Sequence, residues 1–170
     1  MATRIRCPAA ARPGDLTELR LLVELCALRK LADRGLSDQE LAVIRKLADA
    51  TLRPARGGDV PGYLRADIVF HLCLLDLAGE PALAEVGRLL LARDPRRAPR
   101  VEQSGRLAAA EAREHCQLVS MLTDDQVSAA DDLLRQHLSR PWAGRRETHA
   151  GAGGAGIRPL REGMKRGGMK

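Results

Sequence analysis

At 170 residues the chain holds one domain with a sizeable core, and its only aromatics, Tyr63, Phe70 and Trp142, leave that core to Leu, Ala, Val and Ile, which suits helices better than sheets. The net charge of +6 divides into +3 over residues 1–14 (three Arg, no acid), +6 over 140–170 (eight basic, two acidic) and −3 over 15–139 (17 basic, 20 acidic), so the body has no basic surplus to grip nucleic acid. The four cysteines form no Cys-x-x-Cys pair, and neither a secretory segment nor a membrane-length apolar run is present; a cytoplasmic chain with reduced thiols is expected.

Residues 1–14, with Pro8, Pro13 and Gly14, lack periodicity and read as a disordered leader. Asp15 is placed to cap a helix that runs to about Arg34 and is closed by Gly35. Its apolar residues cover two sides, Leu19, Leu22, Val23 and Cys26 on one and Leu21, Leu25 and Leu28 on another, as expected of a central helix or one shared with a second subunit. Ser37-Asp38-Gln39-Glu40 has the spacing of a capping box, flanked by Leu36 and Leu41 as a hydrophobic staple, so a second helix starts there. Its stripe is Leu41, Ile44, Leu47, Ala48 and Leu52, and Pro54 with Gly57-Gly58 is expected to end it. A third helix begins at Asp59, tolerates Pro61 in its first turn and stops at Gly79. A fourth, roughly 81–93, has Pro81 in its first turn and ends at Asp94-Pro95, before a basic loop from Arg96 to Arg100. A fifth spans about 102–122, and Thr123-Asp124-Asp125 is expected to cap a sixth. Beyond Pro141 the composition collapses into Gly, Ala and Arg, and residues 141–170 read as a disordered tail. No strand pattern competes, so the fold class is all-α, an antiparallel bundle of about six helices.

The informative stretch is Asp67-Ile68-Val69-Phe70-His71. Residues four apart on a helix share a face, and here that face also carries Val60, Leu64, Leu74 and Ala78. A carboxylate in such a stripe needs a cation or a metal beside it, because an unpaired buried charge is heavily penalised. His115 shares a sector with Ala108, Ala112, Val119 and Leu122, and His137 lies with Ala130, Leu133 and Leu134. Taken singly, a histidine on an apolar face is more often a packed core residue. Taken together, one Asp and three His form a donor set that suits Zn, Ni, Mn or Fe. Cys73 and Cys116 point away from their neighbouring histidines and read as small buried hydrophobes, and His149 falls in the tail.

The same residues resemble a known family. Arg20-Leu21-Leu22-Val23-Glu24 followed by Arg29, Asp67-Ile68-Val69-Phe70-His71 with Leu74, Gly79-Glu80-Pro81, Glu114-His115 with Leu118, and Asp125 through His137-Leu138 occur in the order of the FCD domain. That domain is the effector-binding C-terminal part of the FadR subfamily of GntR-type transcription regulators, and the likeness covers residues 15–140. The resemblance implies a helical bundle in which Asp67, His71, His115 and His137 bind one divalent metal, zinc before nickel, manganese or iron. It further implies a small carboxylate effector met by Arg20, a homodimer, and DNA contact only through an N-terminal winged helix-turn-helix. Met1 to Gly14 is too short to supply that head, so specific DNA binding by this sequence is not expected. Glu80 stands where the family usually has Asn, so effector preference does not transfer. Two other readings stand beside this one. A metal-dependent hydrolase would need a general base, for which Glu111, one turn before His115, is the candidate. A metal-free interaction bundle would tolerate Gln or Leu at His115 or His137 with little loss of stability.

Overall fold

The computed structural model describes residues 13–93, 104–124 and 126–140. Six helices account for nearly all of them: α1 (Pro13–Arg34), α2 (Asp38–Arg56), α3 (Val60–Leu77), α4 (Pro81–Ala92), α5 (Ser104–Thr123) and α6 (Val127–Ser139). No strand occurs among the described residues, and the all-α expectation holds. The leader, the tail, the basic loop after α4 and the residues expected to open α5 lie outside the described residues.

Local chemistry sets most boundaries. Ser37 accepts from the Glu40 backbone N–H while the Glu40 side chain accepts from Ser37, the reciprocal box that starts α2. The Asp59 side chain accepts from Gly62 N at 2.9 Å and starts α3. Gly35 and Gly79 turn the chain at φ 75° and 74°, a left-handed conformation that a side chain would strain.

Three boundaries depart from expectation. Asp15 lies within the first turn of α1 rather than ahead of it, since the helix already starts at Pro13, whose fixed φ suits that position. Pro54 does not end α2; the helix runs through it to Arg56. The missing N–H is tolerated because α2 is packed on both α3 and α5, and Thr51 and Ala55 are buried on either side of the proline. Gln126, without a side-chain cap bond, precedes α6. Thr123 instead closes α5, its hydroxyl donating to Ser120 O, and Asp125 lies outside the described residues.

Helix α3 packs against α1, α2, α4 and α5, and α5 against α2, α3 and α6. The core between them is aliphatic, with Leu28, Leu31, Ile44, Leu74, Leu75, Leu91, Leu118 and Leu134 fully buried around Phe70. At about 1.5–3 kcal/mol per fully buried large apolar side chain, this layer is the main source of stability. Cys73 and Cys116 are only half-buried, packed at the edge of that core, so they are less enclosed than their sequence positions imply. One side of α1 turns inward through Leu25, Leu28 and Leu31, while Leu19 and Leu22 remain 45% and 57% exposed.

Candidate metal centre

Because α3 is packed on four other helices, its polar pair is carried into the interior: Asp67 is 4% exposed and His71 fully buried. Helices α5 and α6 bring His115 and His137 to the same point, both fully buried. His71 Nε2 and His115 Nε2 lie 3.2 and 3.3 Å from His137 Nε2, and each lies 3.4 Å from Asp67 Oδ1. His137 Nε2 is 4.0 Å from that oxygen, and one ligand atom from each of the four residues falls within 4.8 Å of the others. Donors about 2.1 Å from one ion stand about 3.0–3.4 Å apart in octahedral or tetrahedral arrangements, so the spacing fits a divalent transition metal.

The outer nitrogens of the rings show how the imidazoles are oriented. His71 Nδ1 donates to Glu24 Oε2 at 2.7 Å, and His137 Nδ1 donates to Glu114 Oε2 at 3.0 Å. His115 Nδ1 lies 3.2 Å from Thr51 Oγ1, whose own hydrogen goes to Ala48 O at 2.6 Å, so the hydroxyl can only accept. Carboxylates likewise only accept. Each ring therefore keeps its Nδ1 proton and turns Nε2 toward the common point. Three such nitrogens and a carboxylate oxygen in mutual contact repel unless a cation lies among them.

A further tier holds the outer partners. Arg20 Nε donates to Glu24 Oε1 at 2.5 Å, and Arg140 donates to Glu114 Oε1 at 2.7 Å. The Tyr63 hydroxyl is shared between Asp67 Oδ1 (3.2 Å) and Glu111 Oε2 (2.9 Å). Phe70 stacks on His115 with ring centroids 4.3 Å apart and closes the apolar side. The charges point the same way as the distances. Four carboxylates, Glu24, Asp67, Glu111 and Glu114, are buried around the centre, with Arg20 bonded to Glu24 and Arg140 to Glu114. Burial opposes the charge on Glu24, yet Arg20 and His71 outweigh it and hold the carboxyl down at about 2. Burial also opposes charge on His71, but Glu24 and Asp67 prevail and raise its pKa above the ordinary histidine value. Positive charge is thus already favoured where an ion would sit.

The structure brings together all four residues singled out as ligands and puts Arg20 one carboxylate away from them, buried and paired with Glu24. Glu111 bonds to Tyr63. Sequence reasoning missed Thr51 and Tyr63 altogether and gave Glu114 only as part of a motif. Tyr63 was open to recognition, since it precedes Asp67 by one helical turn. Thr51 carried the weaker signal of a small polar residue seven places beyond Ile44 in the α2 stripe.

The FCD domain model matches residues 15–140. Among solved structures, E. coli McbR/YncC has a similar fold, with a TM-score of 0.61 at 18% identity over 74% of this chain and 59% of that one. The chain thus spans less than two-thirds of that protein's length. Comparison with curated proteins gives no match.

Proposed function

Since the chain belongs to the FCD domain family, matched from residue 15 to 140, we propose that this segment is the effector-binding domain of a GntR-type transcription regulator and that its ligand site is built on a metal. Asp67, His71, His115 and His137 hold one divalent ion, zinc by preference, with nickel, manganese and iron as alternatives for the same donors. Bound there, the ion supplies Lewis-acid positions for a small carboxylate effector. The observation that carries this reading is the convergence of three Nε2 atoms whose Nδ1 protons are already committed to Glu24, Thr51 and Glu114. In this reading Arg20, bonded to Glu24, also meets the effector's carboxylate, in the forked manner that guanidinium favours. In this reading the effector shifts the packing of α1 against the centre, and DNA is contacted by a winged helix-turn-helix rather than by these six helices. The family points to a regulator rather than to an enzyme.

The functional unit is a homodimer. Helices α1 and α4 pack together and expose Leu19, Leu22, Val86 and Leu89, and a second copy offers the matching apolar residues by two-fold symmetry. Sedimentation at micromolar concentration shows a dimer if this holds and only monomer if it fails.

The metal reading is tested on untagged protein by measuring metal content beside Asp67→Ala and His115→Ala. About one divalent ion per chain in the parent, lost in both variants, is the expected result. No ion in the parent after incubation with zinc or nickel overturns it and leaves the histidines as packed core.

A further inference from the structure

The four ligand residues come from α3, α5 and α6, yet α1 also reaches the centre, through Glu24. The outer partners are of two kinds. Thr51 and Tyr63 are neutral and orient the groups they touch. Glu24 and Glu114 are carboxylates, and each is braced from behind by an arginine, so neither is free to swing away from its histidine. A carboxylate on Nδ1–H fixes the tautomer and the ring rotation as a hydroxyl does, and in addition draws the Nδ1 proton toward itself, which enriches the electron density at Nε2.

We propose that Glu24 and Glu114 are positioning residues that set how tightly the centre holds its divalent metal, an inference that rests on the metal reading above. Their paired action matches the geometry of the rings. His71 and His137 meet at Nε2, 3.2 Å apart, and both of these rings are carboxylate-backed. His115, backed by Thr51, has its ring fixed by stacking on Phe70 instead. The two carboxylates also differ in enclosure. Glu24 is fully buried beside buried Arg20, whereas the side chains of Glu114 and Arg140 are 11% and 23% exposed. Loss of charge at Glu24 is therefore felt more strongly than at Glu114.

The experiment uses the full 170-residue chain and zinc as the probe. Zinc affinity is measured by competition with a chromophoric chelator for the parent, Glu24→Gln and Glu114→Gln, with thermal unfolding of each metal-stripped protein as a control for folding. Glutamine keeps one oxygen for the Nδ1–H and removes the charge, at the cost of turning an NH2 toward the arginine, a loss that the unfolding control reads. The expected result is one zinc per chain in all three, bound about 10- to 100-fold more weakly by Glu24→Gln and by a smaller factor in the same direction by Glu114→Gln. Affinities within about threefold of the parent in both variants, whatever their melting temperatures, overturn the proposal and leave the carboxylates as purely structural. If Glu24→Gln does not fold, Glu114→Gln, nearer solvent, decides alone: weaker binding supports the proposal and parental affinity overturns it. A parent that binds no zinc is a different failure, since it removes the metal reading itself.

Discussion

Two arginine–glutamate–histidine chains meet at the same centre, one beginning on α1 and the other at the end of α6. Arg20–Glu24–His71 runs from the first turns of α1 and is sealed, with all three residues buried. Arg140–Glu114–His137 runs from the end of α6 and opens to water at its arginine. The bonds are alike, but the alternatives differ when one is cut. Water can replace Arg140 beside Glu114, whereas nothing can replace Arg20 beside Glu24. A guanidinium in the interior is therefore a requirement of the fold, and the same guanidinium at the surface is a refinement of it.

The largest effect that would test this contrast is on the stability of the metal-free protein, read by urea unfolding. Arg20→Met leaves an anionic Glu24 buried and is expected to lose about 3–5 kcal/mol. Arg140→Met is expected to lose about 1 kcal/mol or less, and 0.5 M salt should bring it closer to the parent, because the outer pair is screened and the inner one is not. Equal losses would mean that the two chains are enclosed alike in solution. The smallest effect extends the comparison to an ion pair still farther out. Arg34 and the Ser37 cap hold the Glu40 carboxyl down at about 2, against an ordinary value of 4.5. A carboxyl held low in the folded state stabilises it above the ordinary value and loses that contribution as the pH falls toward about 2. Glu40→Gln keeps the capping geometry and should therefore be slightly less stable than the parent at pH 7, with the gap closing through the acid range in a pH series of melting temperatures. A gap that stays constant down to pH 2 would assign the loss to the cap rather than to the charge.

Much of this arrangement is legible along the chain. The capping box at Ser37 and Glu40 places α2, and the i, i+4 spacing of Asp67 and His71 on an apolar face marks α3 as the helix that carries the centre. His115 and His137 stand out because a polar ring amid Ala, Val and Leu at helical spacing demands a partner. The departures are where packing overrides local signals. Pro54 ought to break a helix, but α2 is held on two sides and continues through it. Thr123 and Asp124 have the chemistry of a cap, yet the turn of α5 claims the threonine first.

What the sequence determined by itself is therefore periodic and local: six helices, the faces they bury, and the four donors that those faces carry inward. Only the tertiary structure decided which ring nitrogen faces the centre. That choice depends on Glu24, Thr51 and Glu114, which approach His71, His115 and His137 from 47, 64 and 23 residues away in the chain. No helical period connects residues so far apart; the packing of α1, α2 and α5 around α3 and α6 does, because a buried N–H must find an acceptor wherever the fold provides one.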